Sequence, residues 1–443
     1  MFIQKKKFFD KYFFISSVII FIPFFLNYYN YGGNKFLFFI FHLCALGLLL
    51  TSIQKKISAF EFFFYVFLLL SFWFKFSCIL YFDDIKVTEG DFNLLVANYD
   101  RPVFIIVITF IACILASFFK TILFSSISLG FKFKMQDSFL FFYKKYRILI
   151  IYLVVSFLIF IWFTNFNYKI YSKGAVNNNI YSAIKYFYSW SFTYGLAVLV
   201  SQLIYIDFYV YKKKKIIILS FIEAFFTSVT MYSRTFLLFF FAYLRGFFLL
   251  NESRKNFLIS KLYIFKFALV ILIFFLISFY SVKQFRSSYF YKPNSSSNVV
   301  SITETIKEIK HLSINRWVGI DGLLSVSQSS KLNFAFFLSA WKEQKEVRNK
   351  SFYINHFFNR FKYSDQQREN INIVITPGLI AFLLYSGSLF FIFFSLFFLI
   401  LICSFIEKTF YILSFGNIIL SNIIGYSIAV RLIHFGYNNI AKR

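Results

Sequence analysis

The chain has 443 residues, of which 59% are hydrophobic and only 15% are charged, and its mean hydropathy is +0.68. A soluble core cannot bury that much apolar surface, so the composition excludes a soluble globular protein and indicates a polytopic membrane protein. The net charge of +28 does not indicate nucleic-acid binding, because the lysines occur in short runs between apolar segments, as they do at the ends of membrane spans.

Apolar runs long enough to cross about 30 Å of hydrocarbon follow one another along the chain. They predict an all-α polytopic membrane protein with about 11–12 transmembrane helices. The last but one of these runs is either one long tilted helix or a re-entrant piece, broken at "SGS" (386–388), followed by a span. The runs lie at 12–28, 36–52, 59–81, 103–127, 148–163, 187–210, 216–231, 235–250, 265–282, 376–405 and 409–429.

Every second connection between these runs is short and rich in lysine, from "KKK" (5–7) near the N-terminus to "KKKK" (212–215). The positive-inside rule places these connections, and with them the N-terminus, in the cytoplasm. The first run is interpreted as an uncleaved span, because no small-residue cleavage site follows it. The chain then divides into an N-terminal bundle of about nine spans at 1–282, an outer loop at 283–375 and C-terminal transmembrane helices at 376–443.

The outer loop at 283–375 would face the periplasm of a bacterium and is expected to be partly helical. Ser301 and Glu304 have the spacing of a capping box, and residues 339–362 have the composition of a second helix. The loop carries 14 basic and 7 acidic residues. This excess is either solvated charge or a site for an anionic ligand such as phosphate, which arginine binds through two N–H groups at once.

Three arginines are candidate ligands for such an anion. Arg234 lies in "MYSRTFLL", a tight outward turn, Arg286 directly follows a span, and Arg316 lies in "NRWVGIDG". Each has an ordinary alternative: Arg234 as a helix-end side chain that reaches for the interface, Arg286 as an interfacial anchor, and Arg316 as the partner of a carboxylate such as Asp321.

One carboxylate and two histidines of the outer loop are candidates for a general base toward a hydroxyl group. They are Asp321, which has a glycine on either side in "VGIDGLL", and His311 and His356. The plainer interpretation of each is a polar side chain whose hydrogen bonds are satisfied within the fold.

Glu223 lies inside a predicted span, at a depth where a carboxylate is costly and is often functional. It is expected to pair with Arg245 or His42 or to line a cavity. The sequence contains no zinc-ligand spacing and no nucleotide-binding or hydrolase motif. We therefore expect no metal and no cofactor.

Three stretches of the chain resemble one family of membrane enzymes. "NRWVGIDGLLSV" (315–326), followed by "ITPGLIAFLLYSGSLFFIF" (375–393), is similar to the oligosaccharide repeat-unit polymerases of bacterial surface polysaccharides, also called O-antigen polymerases of the Wzy type. "YSRTFLLFF" (232–240) resembles the "SRT" element at an outward turn in these proteins. The resemblance covers about residues 216–405, and it departs from the family pattern at Asp321, where that pattern has glutamate.

The resemblance implies a glycosyltransferase of the bacterial inner membrane that joins lipid-linked repeat units into O-antigen or capsule at the periplasmic face. A hydroxyl of the acceptor unit attacks the anomeric carbon of the donor, and undecaprenyl diphosphate leaves. Arg234, Arg286 and Arg316 would then bind the diphosphate, and Asp321 or His311 would lie near the acceptor hydroxyl. The implied partners are the undecaprenyl-diphosphate-linked oligosaccharide, the lipid bilayer, a chain-length regulator and a flippase, with no nucleic acid.

Three other functions remain open at this point. An O-antigen ligase would pass the finished chain to the lipid A core with the same arginine chemistry. A flippase or exporter of lipid-linked oligosaccharide would have pseudo-symmetric halves and a charged central cavity. A membrane scaffold without catalysis would use the outer loop only to bind a partner.

Overall fold

The computed structural model of the chain is all-helical, and the residues that it describes contain no strand. Within the described residues, six helices are long and apolar enough to cross a membrane: Lys35–Ser52, Ala59–Tyr81, Asp100–Leu123, Asp137–Tyr168, Ser182–Tyr211 and Leu389–Leu413. This confirms the all-α class and the membrane-spanning character, whereas the orientation and the outer loop stay predictions. The described residues are 2–54, 57–82, 99–126, 135, 137–171, 180–211, 215–233, 236–253, 273–278, 280–282, 284, 313–315, 317–342, 352–357 and 376–435.

The helices are numbered here in chain order. Two π-helical segments, Leu69–Phe74 and Ser191–Gly195, join α3 to α4 and α7 to α8 without a break. The helices are α1 Phe2–Asn27, α2 Lys35–Ser52, α3 Ala59–Leu68, α4 Lys75–Tyr81, α5 Asp100–Ser126, α6 Asp137–Tyr168, α7 Ser182–Trp190, α8 Leu196–Tyr211, α9 Ile218–Thr230, α10 Phe236–Ser253, α11 Ile320–Ser327, α12 Phe334–Trp341, α13 Phe352–Phe357, α14 Leu379–Leu384, α15 Leu389–Leu413 and α16 Ile418–Ile433.

The chain folds as two compact units. The first unit consists of Met1–Ser128, Ile306–Phe405 and Ile428–Arg443. The second unit consists of Leu129–Thr305 and Ile406–Ser427. The first unit therefore joins the N-terminal helices to the segment that follows residue 306.

The predicted spans coincide with helices in most of the described chain. The run 59–81 is matched end to end by α3, the first π-helical segment and α4, and the run 36–52 by α2. The run 376–405 is broken near the place that its second interpretation named, since α14 ends at Leu384, a turn starts at Tyr385 and α15 begins at Leu389. Gly387 makes this turn with a φ of +68°, which side chains other than glycine rarely adopt. The re-entrant path of the first piece stays a prediction.

The predicted boundary between the last two spans is wrong. Glu407 and Lys408 do not mark a loop, since α15 continues through both to Leu413. Glu407 is buried and accepts a hydrogen bond of 2.8 Å from the Ser421 hydroxyl. The break lies at "SFGN" (414–417), where Gly416 has a φ of +78° and the Asn417 side chain caps α16 through the backbone N–H of Leu420.

The turn between α1 and α2 is tied to the start of α5. Asp100 Oδ1 accepts hydrogen bonds from the Tyr31 hydroxyl and from the backbone N–H of Asn34, both at 2.8 Å. Burial raises the pKa of the Tyr31 phenol, and the adjacent Asp100 carboxylate raises it further. Tyr31 therefore remains protonated, and a hydrogen-bond donor, at any physiological pH.

Glu223 of the second unit is satisfied by hydroxyl groups. Its two carboxylate oxygens accept hydrogen bonds of 3.0 Å from Thr227 and Tyr243. The expected partners lie elsewhere: Arg245 donates to the Asn422 side chain at 2.5 Å, and His42 Nδ1 is 3.0 Å from the backbone oxygen of Phe38. The buried carboxylate thus joins α9 to α10.

A buried ion pair joins α3 to α5 in the first unit. Lys120 Nζ binds Glu61 Oε2, and Ser117 donates to Glu61 Oε1 at 2.8 Å. Ser58 and Glu61 also form the capping box that begins α3. The carboxylate is therefore held by partners on both helices, and it is fully buried.

We expect Lys120→Met to lower the free energy of unfolding by about 3 kcal/mol, because it leaves a buried carboxylate without its cation. The measurement is unfolding of the purified protein in detergent. Lys331→Met, at an exposed lysine, is the control and should have no effect. The double variant Glu61→Gln/Lys120→Met should recover most of the lost stability; equal losses in the single and double variants would contradict the ion-pair account.

Candidate functional site

Of the five site residues named from the sequence, the structure describes Asp321. His311, Arg234, Arg286 and Arg316 lie outside the described residues. Asp321 occupies the first turn of α11 and is buried, so it is part of the interior of the first unit. Its assignment as a catalytic residue stays a prediction.

The partner of Asp321 is Lys75, the first residue of α4. The Asp321 Oδ2 atom lies 2.7 Å from Lys75 Nζ, and the two side chains are 4% and 3% exposed. Lys75 Nζ also donates to the backbone oxygens of Trp317 at 3.1 Å and Asn315 at 3.3 Å. An ammonium group has three N–H donors, so all three are used here.

A π-helical segment at Leu69–Phe74 directly precedes Lys75. Each π turn holds one residue more than an α turn, and such bulges are frequent at functional sites. The extra residue shifts the helical register, so the side chains of α4 project from a different face than continuous α-helix would give. Residues 59–81 thus combine an apolar membrane-spanning composition with one inward-facing cation.

Gly319 allows the backbone ahead of Asp321 to pass close to this helix. Its φ is +148°, in the region that favours glycine. A Cβ at this position would lie 2.8 Å from the Phe72 ring and 3.1 Å from Ser71 Cβ. The glycine that precedes Asp321 in "VGIDG" is therefore required both by conformation and by space.

Gly322 brings the two stretches that carry the family resemblance into contact. A Cβ on Gly322 would lie 2.2 Å from the backbone oxygen of Pro377. Gly322 belongs to "NRWVGIDGLLSV" and Pro377 to "ITPGLIAFLLYSGSLFFIF". Two segments that are distant in the sequence therefore form one packed element, in which every residue of α11 and α14 is buried.

Both ends of α11 are compensated by charge. Asp321 lies in its first turn, and Arg101 of α5 donates to the backbone oxygen of Ser327, the last residue, at 2.7 Å. A carboxylate at the N-terminus and a cation at the C-terminus both stabilise the helix dipole. The short helix is thereby fixed in position by α4 at one end and α5 at the other.

Two polar atoms around the ion pair have no hydrogen-bond partner among the described residues. They are Ser71 Oγ, one helical turn before Lys75, and Asn315 Oδ1, whose own backbone oxygen accepts from Lys75. Buried polar groups are normally hydrogen-bonded. A hydroxyl that can donate and an amide oxygen that can accept are thus available beside the Lys75–Asp321 pair.

His356, the third candidate base from the sequence, is exposed and lies on α13. Its ring stacks on Phe352 with centroids 4.2 Å apart, and its Nδ1 atom is 3.0 Å from the backbone oxygen of the same residue. The helix predicted over 339–362 is represented in the described residues by the end of α12 at Trp341 and by α13.

Lys75 was missed by reasoning from the sequence. The run 59–81 was treated as a uniform span, although "SFWFKFSCIL" contains a lysine among apolar residues. A cation within a membrane span usually faces the protein interior and has a partner. That rule would have singled out Lys75, but it could not have named Asp321, which is 246 residues away.

Comparison with protein-family models, with curated proteins and with solved structures gives no match to this chain. The polymerase resemblance is therefore an expectation drawn from the residues quoted above. Among the five site residues named from the sequence, Asp321 is the one that the structure describes, so a structural argument about the site starts from Asp321.

We expect Gly322→Ala to destabilise the protein by about 2 kcal/mol, because the added methyl group would overlap the Pro377 carbonyl and force α11 and α14 apart. Thermal unfolding in detergent measures the effect. Gly32→Ala is the matched control, since no atom lies within 4 Å of a Cβ at that position. Equal stability of the two variants would mean that the contact between the two stretches is not close-packed.

Proposed function

We propose that this chain polymerises undecaprenyl-diphosphate-linked oligosaccharide repeat units into a surface polysaccharide, O-antigen or capsule, at the periplasmic face of the bacterial inner membrane. The observation that carries the proposal is the contact between Gly322 and Pro377. It joins the two stretches that resemble the polymerase family into one buried element. The described part of the chain is helical and holds six candidate spanning helices, which agrees with a lipid-linked substrate.

The reaction requires a cation for the leaving group and a base for the nucleophile. The hydroxyl oxygen of the acceptor unit forms a bond to the anomeric carbon of the donor, and the bond from that carbon to the diphosphate oxygen breaks. The diphosphate leaves with the electron pair and gains negative charge, which Arg234, Arg286 and Arg316 would stabilise. The hydroxyl proton passes to Asp321 or His311.

The Lys75–Asp321 pair gives the proposal a structural basis beyond the resemblance. Lys75 binds the backbone oxygens of Asn315 and Trp317, the two neighbours of Arg316 in the sequence. The same ammonium group binds Asp321. We therefore assign Lys75 as a positioning residue, which holds the segment around Arg316 and the candidate base Asp321 in one arrangement.

Loss of the gene is expected to leave a single repeat unit attached to the lipid A core, because capping of the core does not require polymerisation. The measurement is gel electrophoresis of the surface polysaccharide. Polymer that remains on the lipid carrier would instead indicate a ligase, and loss even of the single unit would indicate a flippase. An unchanged polysaccharide pattern would leave only the scaffold alternative.

Complementation of that deletion tests the arginines. Arg234→Lys, Arg286→Lys and Arg316→Lys should each shorten the polysaccharide or abolish it, because lysine keeps the charge but cannot bind two phosphate oxygens at once. Arg431→Lys, at an exposed arginine of α16, is the control and should restore normal length. Normal polymer from all three variants, at wild-type protein levels, would remove these arginines from the diphosphate site.

The role of Asp321 is tested with variants of the ion pair. Lys75→Met alone should lower the amount of folded protein, because it leaves a buried carboxylate without its cation. Lys75→Met/Asp321→Asn removes both charges at nearly constant volume and should fold at the wild-type level, as measured by chromatography in detergent. If Asp321 is the base, this double variant should polymerise at least 100-fold more slowly.

The double variant distinguishes chemistry from stability. A folded double variant with wild-type polymerisation would assign the pair to structure alone and leave His311 as the candidate base. His311→Gln is then the complementary variant, with His434→Gln, at an exposed histidine outside the outer loop, as its control. A double variant and a His311→Gln variant that are both fully active would exclude both proposed bases.

A further inference from the structure

The helix α6 is bent near its start, and the bend forms a groove. Tyr146 has non-helical angles, with a φ of −108° and a ψ of +17°, inside an otherwise continuous helix of 32 residues. The surrounding groove lies within the second unit, is open to its surroundings and has a volume of about 630 Å³. It is lined by Lys144, Lys145, Tyr146, Arg147, Ile148, Leu149, Tyr152 and Tyr211.

Three cations line this groove, and one carboxylate lies behind it. Arg147 donates to both oxygens of Asp207, at 2.6 and 3.2 Å, and lies over the Tyr211 ring at 4.5 Å. Asp207 is fully buried and also accepts from the Tyr143 hydroxyl at 3.0 Å. The Asp207 carboxylate is thus buried and paired with Arg147, so it does not neutralise the two lysines of the groove. The groove therefore has an excess of positive charge.

The other two cations are exposed. Lys145 Nζ lies 5.2 Å from the centre of the Tyr146 ring, and within the described chain neither Lys144 nor Lys145 has a carboxylate within ion-pair distance. Their ammonium groups are therefore free to bind an anion. Arg147, fixed by Asp207 and Tyr211, provides a rigid edge beside them.

Directly after the cations, the surface of α6 becomes apolar. Ile148 is 80% exposed, Tyr152 is 70% exposed and Leu149 is 53% exposed. The apolar run that predicts this membrane span begins at the same residue, Ile148. The groove therefore lies where headgroups meet hydrocarbon, and the positive-inside rule assigns this end of the helix to the cytoplasmic leaflet.

We propose that the groove binds the headgroup of an anionic phospholipid of the cytoplasmic leaflet. The phosphate would be bound by Lys144 and Lys145 beside Arg147, and the acyl chains would run along Ile148, Leu149 and Tyr152. Basic pockets beside transmembrane helices on the cytoplasmic side are suited to such headgroups. On α6 the cationic surface continues directly into apolar surface. This favours a lipid, whose phosphate and acyl chains contact both parts, over a free anion, which would contact only the cations. This site is independent of the proposed polymerase reaction.

The test uses the purified full-length protein in detergent, with native mass spectrometry to count bound lipid as phosphatidylglycerol is added. We expect the first phosphatidylglycerol to bind more tightly than phosphatidylcholine of the same chain length. Lys144→Gln/Lys145→Gln should weaken its binding by about thirtyfold, because each lysine near an anionic headgroup contributes about fivefold. Lys144→Arg/Lys145→Arg should retain it.

The matched control is Lys331→Gln/Lys342→Gln, which removes the same charge from two exposed lysines of the first unit. Equal binding of the two lipids, or an equal loss in the control variant, would overturn the proposal. Competition by inorganic phosphate distinguishes the sources of the anion. If phosphate at the concentration of the lipid headgroup displaces the lipid completely, the site binds phosphate and not a lipid.

Discussion

A charge inside an apolar helical bundle must have a partner, and this requirement determines how the described helices are joined. Three ion pairs occur in the described residues: Lys75 with Asp321, Lys120 with Glu61 and Arg147 with Asp207. Each joins two helices, and in each the carboxylate is nearly or fully buried. An unpaired charge at such a position costs several kcal/mol, so each pair restricts which helices can be neighbours and in which register.

The pairs differ in what surrounds them, and the difference matters for function. Glu61 is bound by Lys120, by Ser117 and by the capping box of α3, so its charge is paired and both of its oxygens accept hydrogen bonds. Near the Lys75–Asp321 pair, Ser71 lies against Gly319 and the Asn315 backbone accepts from Lys75, and each of these two residues has a side-chain polar atom without a partner in the described chain. Asp207 binds Arg147, which lines a groove together with Lys144 and Lys145. The first arrangement is suited to stability alone, and the other two leave polar groups that can bind a ligand.

Hydropathy was sufficient to predict features that depend on neighbouring residues. The span at 59–81 was found to the residue, because its length and composition are local properties. The break between α15 and α16 was misplaced, because the apolar runs 376–405 and 409–429 are interrupted by two charged residues at 407–408 that the helix in fact includes. Their burial could not be predicted locally, whereas the glycine and asparagine of "SFGN" were the stronger signal.

The candidate site shows the same limit more sharply. The sequence named Asp321 because of its flanking glycines, and the structure gives those glycines distinct roles: Gly319 admits the π-helical segment, and Gly322 admits the Pro377 carbonyl. The sequence could not show that Lys75 is the partner of Asp321, because two residues that are 246 positions apart produce no local pattern in the chain. A short helix that is bound by α4 at one end, by α5 at the other and by Pro377 along its side has little freedom to move. If Asp321 accepts the proton of an incoming hydroxyl, the substrate must therefore come to a fixed carboxylate, and Lys75 must tolerate the loss of its counter-charge. Its two further hydrogen bonds to backbone oxygens are what would hold the ammonium group in place at that step.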